Sequence, residues 1–216
     1  MHTPPELRGG YATRLASLVS GLFLCAVGVV WFLESELGLP PWDVLHQGLA
    51  EQVGISFGAA NLVVSGVILG FVWVLRARIG LGTLLNASLI GTFVIALTRI
   101  DAVSALSDEG LAVRICLLPL ALACFGAGSA LYIAPSLGAG PRDSLMFVAA
   151  RGLRLRIGTA RTVVELLALG LGFALGGTAG IGTLVFALGI GPSVEGAFWL
   201  LERTPLAARG VASPQS

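Results

Sequence analysis

Six stretches of the chain, at about 13 to 34, 57 to 75, 81 to 99, 112 to 134, 158 to 176 and 181 to 201, are predominantly apolar. Each comes near the roughly 20 residues an α-helix needs to cross a bilayer. The pattern therefore predicts six membrane-spanning helices. Between the first two spans, and again between the fourth and fifth, lies a shorter and more polar segment opened by glycine and proline. Residues 41 to 53 would form a helix of roughly 20 Å, against a hydrocarbon core of about 30 Å. They carry Asp43, His46, Gln47 and Glu51. Such a segment is expected to be re-entrant or interfacial, not to cross. The predicted fold class is all-α, a polytopic membrane protein with six transmembrane helices and two short helices.

Composition agrees: 56% of the residues are hydrophobic and only 12% charged, far below the roughly one-quarter charged residues of soluble domains. The N-terminal hydrophobic stretch is too long for a signal-peptide core, so it reads as a retained span. Residues 1 to 216 form one membrane domain, with the tails 1 to 12 and 203 to 216 expected to be flexible. Cys25, Cys116 and Cys124 fall within or beside spans at no metal or disulfide spacing, and read as packing residues. All thirteen basic residues are arginine, which removes Schiff-base, Ser-Lys and P-loop chemistry. With only His2 and His46 there is no histidine metal cluster. No cofactor, metal or enzymatic activity is expected, and no basic face suits nucleic acid.

Adding one hundred to residues 14 through 100 aligns the two halves without a gap, with about 25 of the 87 positions identical. Chance agreement in so biased a composition would give roughly nine. Repeat 1 covers about 13 to 100 and repeat 2 about 113 to 200. Gly38 matches Gly138, Pro41 matches Pro141, Asp43 matches Asp143, and "GLGTLL" at 80 to 85 answers "GIGTLV" at 180 to 185. Glycine and proline set backbone shape and close helix approach, so geometry is what both copies keep.

Charge is what they exchange. Trp42, Glu51, Gly54, Ser56 and Asn61 correspond to Arg142, Arg151, Arg154, Arg156 and Arg161, while Arg76 and Arg78 correspond to Gly176 and Thr178. Parallel copies would carry arginine in corresponding loops; copies inverted in the membrane carry it in opposite ones. Two inverted three-span repeats are expected, with both termini cytoplasmic. On this reading Trp42 belongs at the outer interface and Arg142 at the cytoplasmic one. Pro-x-Asp recurs because Pro suits the first position of a helix and Asp favours the positive end of its dipole.

"LGLPPWDVLHQGL", "GLGTLLNASLIG", "LGAGPRDSLMFVAARG" and "GGTAGIGTLVFALGIGP" resemble the YczE/YyaS/YitT-type bacterial membrane proteins, most closely the YczE branch, over roughly residues 12 to 200. The resemblance implies a multi-pass protein of the bacterial plasma (inner) membrane and carries no established activity.

The candidate binding residues are the ionisable and amide groups that spans tolerate only against a cavity or partner. Asp43 and Asp143 would bind a cation or proton at paired half-helices, or simply complete two helix starts. His46, three residues after Asp43 on the same helix face, is a proton-handling partner or an interfacial histidine; its repeat equivalent is Met146. Arg161 and Glu165 fit an i, i+4 pair. Glu195 reads as structural. Asn61 and Asn86 need interhelical partners. Thr83 and Thr183 could aim helix N-termini at an anion. With Arg142, these suggest a small secondary transporter or permease for an anionic or zwitterionic solute, alternating access between inverted repeats. A non-catalytic membrane scaffold or accessory subunit is the alternative. The expected partners are the lipid bilayer, a small-molecule solute and, for a homo-oligomer, a second copy of the chain.

Overall fold

The computed structural model describes residues 7–75, 79–138, 140–154 and 157–206, with the side chains of Phe147, Ile157, Gly158, Thr159 and Arg161 outside that description. The chain is helical: α1 (Tyr11–Ser35), α2 (Pro41–Val53), α3 (Phe57–Val74), α4 (Leu81–Leu97), α5 (Asp101–Ser104) with a 3-10 turn at Ala105–Asp108, α6 (Leu111–Ile133), α7 (Pro141–Gly152), α8 (Ile157–Ala174) and α9 (Ile181–Glu202). α1, α3, α6 and α9 are long and apolar enough to cross a membrane. α4 qualifies together with the α5 segment, which bends away from it by 86°, and α8 contributes the shorter apolar stretch Thr162–Ala174. Large apolar side chains such as Val67, Phe71, Leu167, Phe173, Leu184 and Leu188 lie exposed on α3, α8 and α9. An apolar exterior of this kind suits lipid contact.

The centre of the fold is the crossing of α1 and α6, repeat-equivalent helices that run antiparallel. A Cβ on Gly21 would come within 2.7 Å of the Gly128 carbonyl oxygen, and one on Gly128 within 2.7 Å of the Gly21 oxygen, so only glycine lets these backbones meet. Gly28 packs in turn on Ala121 and Phe125. The contacts are reciprocal: 21 meets 128, and 28 meets 121.

The same reciprocity governs the turns that lead into the short helices. Gly38 and Gly138 both hold positive φ, 110° and 127°, a backbone that glycine adopts without steric cost. Gly38 lies against Gly180, and Gly138 against Gly80. The Gly182 N–H donates to the Leu37 carbonyl at 2.7 Å, and the Gly82 N–H to the Leu137 carbonyl at 2.8 Å. Thr183 Oγ1 accepts from the Gly180 N–H and donates to the Leu39 carbonyl; Thr83 Oγ1 accepts from the Gly80 N–H. Gly82, Gly182 and Thr183 thus each spend a donor on the facing turn's backbone, while Thr83 accepts within its own helix start; these groups hold the fold together, in place of the anion expected at Thr83 and Thr183. The orphan N–H groups of Gly82 and Gly182 already have partners.

Helix α2 packs on α8, and α7 on α3. The segment 101–108 lies beside the end of α1, and Gly58, at the start of α3, packs on Gly91 and Ile95 towards the end of α4. The chain therefore enters and leaves α2 on one side of the bundle. At the opposite end the Arg8 N–H donates to the Leu206 carbonyl at 2.7 Å, and Leu7 is buried with Ala130, Ala134 and Leu201. These residues of the expected flexible tails are held in place by packing and a backbone bond.

Candidate functional site

The N-terminal turns of α2 and α7 face a common pocket. Pro41, Trp42 and Asp43 line it from one repeat and Arg142 and Asp143 from the other, with Tyr132, Asn86 and Glu165 completing its polar wall. The cavity holds about 140 Å³, enough for a few waters or a small solute, and Phe125, Phe186 and Ile90 supply its apolar surface. The repeated Pro-x-Asp motif thus builds one site from two copies.

Its variable positions meet. The Arg142 guanidinium carbon lies 5.3 Å from the centroid of the Trp42 ring, within cation–π range. Residues 42 and 142 therefore do not sit on opposite membrane faces, as the arginine distribution suggested for them. Position 42 here faces its own repeat equivalent, and two arginines in contact would repel. Tryptophan offers the guanidinium a surface instead.

Beneath this pair lies a polar node with no solvent exposure. Asp43 and His46 are fully buried and Asn61 nearly so. His46 Nδ1 is 3.0 Å from Asp43 Oδ1 and 3.2 Å from the Asn61 side-chain amide, while Arg142 Nη2 lies 3.5 Å from His46 Nε2 and 3.8 Å from Asp43 Oδ1. A guanidinium can only donate, so Nε2 must present a lone pair and Nδ1 carries the proton that Asp43 accepts. Asn61 presents Nδ2 to that nitrogen and leaves its Oδ1 without a partner; exchanging the two amide atoms, which shape alone does not distinguish, would bring the oxygen onto the N–H as a second acceptor. Burial, the dominant cause, lowers the His46 pKa below its ordinary value, while its bond to Asp43 opposes the shift. Phe57 closes the ring edge-to-face at 5.9 Å. His46 is accordingly enclosed by protein, because α2 turns that face into the bundle.

Asp143 is handled differently: it is half-buried, and its Oδ2 accepts from the Tyr132 hydroxyl at 2.9 Å. Asn86 packs against the start of α7, where a Cβ on Gly140 would lie 3.1 Å from its amide. Glu165 lines the pocket, as an acid inside an apolar helix should. The side chain of Arg161 lies outside the described residues, and with it the expected Arg161–Glu165 pair; Glu195 is exposed on α9. Sequence reasoning missed Tyr132, Trp42 and Ser129 as pocket residues. Tyr132 carried a signal, since it places a hydroxyl where the other repeat has Phe32. Among the described residues no group of histidine, cysteine and acidic side chains could hold a metal ion.

The chain matches a model for a family of unknown function (DUF6198) over residues 12–197. An uncharacterized protein of Haemophilus influenzae is 35% identical over 192 residues, covering 88% of this chain and 86% of that one. The Bacillus subtilis proteins named uncharacterized membrane protein YczE and uncharacterized protein YyaS are 33% and 25% identical, covering 78% and 76% of this chain and 78% and 82% of their own lengths. No solved structure matches. With the family model spanning nearly all of α1 to α9, and relatives aligned across most of their length, the chain belongs to the YczE-type membrane proteins, a family of unknown function.

Proposed function

We propose that this protein is a small secondary transporter in which two inverted three-span repeats alternate access to the pocket between α2 and α7. One observation carries the reading: two repeat-equivalent helix starts converge on one polar cavity inside an apolar bundle. The antiparallel, reciprocal contacts of α1 with α6, and of each turn with the opposite helix start, support inversion and six crossings. A repeat related to its twin in this way can supply the inward-open arrangement from the fold that supplies the outward-open one. The pocket wall sets three carboxylates, Asp43, Asp143 and Glu165, against the Arg142 guanidinium. This mixed lining suits a small zwitterion, its carboxylate toward Arg142 and its ammonium toward Asp143, better than a simple anion. The bacterial inner membrane, with both chain ends on the cytoplasmic side, is the setting this reading requires.

Uptake of radiolabelled small α-amino acids into proteoliposomes tests it, with Asp143→Asn and Glu165→Gln expected to lower uptake at least tenfold. Uptake of no amino acid by well-folded protein would favour the scaffold reading. Single cysteines at positions 51 and 151 test inversion: an impermeant thiol reagent should label the first in whole cells and spare the second.

A further inference from the structure

Arg142 holds its neighbours loosely. Its contacts to Asp43 and His46, at 3.8 and 3.5 Å, are long for charge-assisted hydrogen bonds, its side chain is 31% exposed, and it lines the pocket. Asp43 is in the opposite situation. It is fully buried, its Oδ2 has no hydrogen-bond partner, and the guanidinium is the one cation that the described contacts bring near it. A buried carboxylate keeps its charge only while a counter-charge or strong donors stay close.

We propose that Arg142 couples solute to proton: a solute carboxylate that draws the guanidinium into the pocket leaves the Asp43–His46 node to take up one proton, so both ligands enter the site together. The inference rests on the transport reading and deepens it. With Arg142 turned away, His46 Nε2 loses its donor and Asp43 loses its counter-ion. A proton arriving from the aqueous side of the pocket binds the unpartnered Asp43 Oδ2 or the bare Nε2. Other titratable groups among the described residues also line the pocket around the node. They are Cys25 from α1, Tyr132 from α6, Asp143 beside Arg142 on α7, and Glu165 from α8, all on the pocket wall; Asn61 from α3 is uncharged, and the Arg161 side chain on α8 is outside the described residues. Among the described residues, Arg142 makes polar contacts with both Asp43 and His46. The solute's charge and the proton thus exchange through one side chain, and binding one without the other leaves either a buried unpaired carboxylate or an unneeded proton.

The chain has two histidines, His2 and His46, so protein labelled with ¹⁵N-histidine reports the node directly by nuclear magnetic resonance. In wild type, His46 is expected to be neutral at pH 7, and the ¹⁵N shifts report which ring nitrogen carries its proton. Arg142→Gln imitates the withdrawn guanidinium and should raise the node's proton-binding midpoint at least tenfold in proton affinity, about one pH unit. Arg142→Lys should titrate like wild type, and the shift should vanish when Asp43→Asn is added to Arg142→Gln. An imidazolium in wild type at pH 7, or superimposable titrations of wild type and Arg142→Gln, overturns the proposal; the wild-type spectrum decides even if a variant fails to fold. Proteoliposomes separate the two levels. Persistence of the Arg142→Gln shift without uptake of any amino acid removes transport but leaves the charge coupling, whereas uptake without proton co-entry, read by a trapped pH dye, removes the coupling alone.

Discussion

Asp43 and Asp143 occupy the same place in two copies of one helix start, yet they live in different chemistry. Asp43 is sealed in a network with His46, Asn61 and Arg142; Asp143 is half-buried with one phenolic donor. Each half lacks what the other uses. The equivalent of His46 is Met146, of Asn61 is Arg161, of Tyr132 is Phe32, and of Arg142 is Trp42. The backbone of the two copies has stayed common because the reciprocal turns and glycine contacts are shared constraints. The side chains around the pocket have diverged because one cavity needs only one set of charges.

The largest expected effect tests this asymmetry. Asp43→Ala leaves His46 and Arg142 without their carboxylate in a buried node and should cost about 3 kcal/mol, read as a fall in thermal stability in detergent. Asp143→Ala removes a single charge-assisted bond at a half-buried site and should cost about 1.5 kcal/mol. Equal losses would break the comparison. The symmetric part of the fold should respond symmetrically. Gly21→Leu and Gly128→Leu both drive a side chain into the opposite backbone and should each cost about 2 kcal/mol. Gly70→Ala and Gly170→Ala, where nothing lies within 4 Å of the added carbon, should be neutral or slightly stabilising. A smaller effect sharpens the contrast at Tyr132. Tyr132→Phe gives up its bond to Asp143, a loss of about 1.5 kcal/mol. Phe32→Tyr buries a hydroxyl among Leu118, Phe125 and Phe186 and gains nothing.

Most of the helical framework was legible because span length and glycine-proline breaks are local signals. The observed helices start and end within two residues of the expected apolar stretches. The pairing of Asp43 with His46 was legible too, since i and i+3 share a helix face. What escaped depended on tertiary contact. That Asn61 completes the His46 shell, or that Tyr132 reaches Asp143, follows from how α3 meets α2 and α6 meets α7. The misplacement of Trp42 and Arg142 has a similar root: arginine counting assigns a residue to a membrane face, whereas these two, each partly buried, come from different copies and touch each other. The glycine-threonine starts were read for a ligand because the turn that satisfies them comes from the opposite half of the chain.

The smallest predicted loss of stability concerns a charge that both copies retain. Arg14 and Arg114 are repeat equivalents, and both would serve alike if surface charge alone kept them. Arg114 anchors the turn before α2: its Nε donates to the Ser35 carbonyl at 2.8 Å and its Nη2 lies 2.9 Å from Glu36. Glu36 is mostly exposed, so the ion pair itself is worth little, about 0.5 kcal/mol, and should fade with salt. The bond to the carbonyl is the part salt should not remove, since it satisfies an acceptor at the end of α1. Glu36→Gln should therefore lower stability slightly at low salt and leave it unchanged at high salt. Arg114→Gln should cost about 1 kcal/mol at both. If the two variants behave alike, Arg114 acts through charge and not through the turn. The shared Arg14 and Arg114 would then belong with the exchanged surface charges instead of with the common backbone.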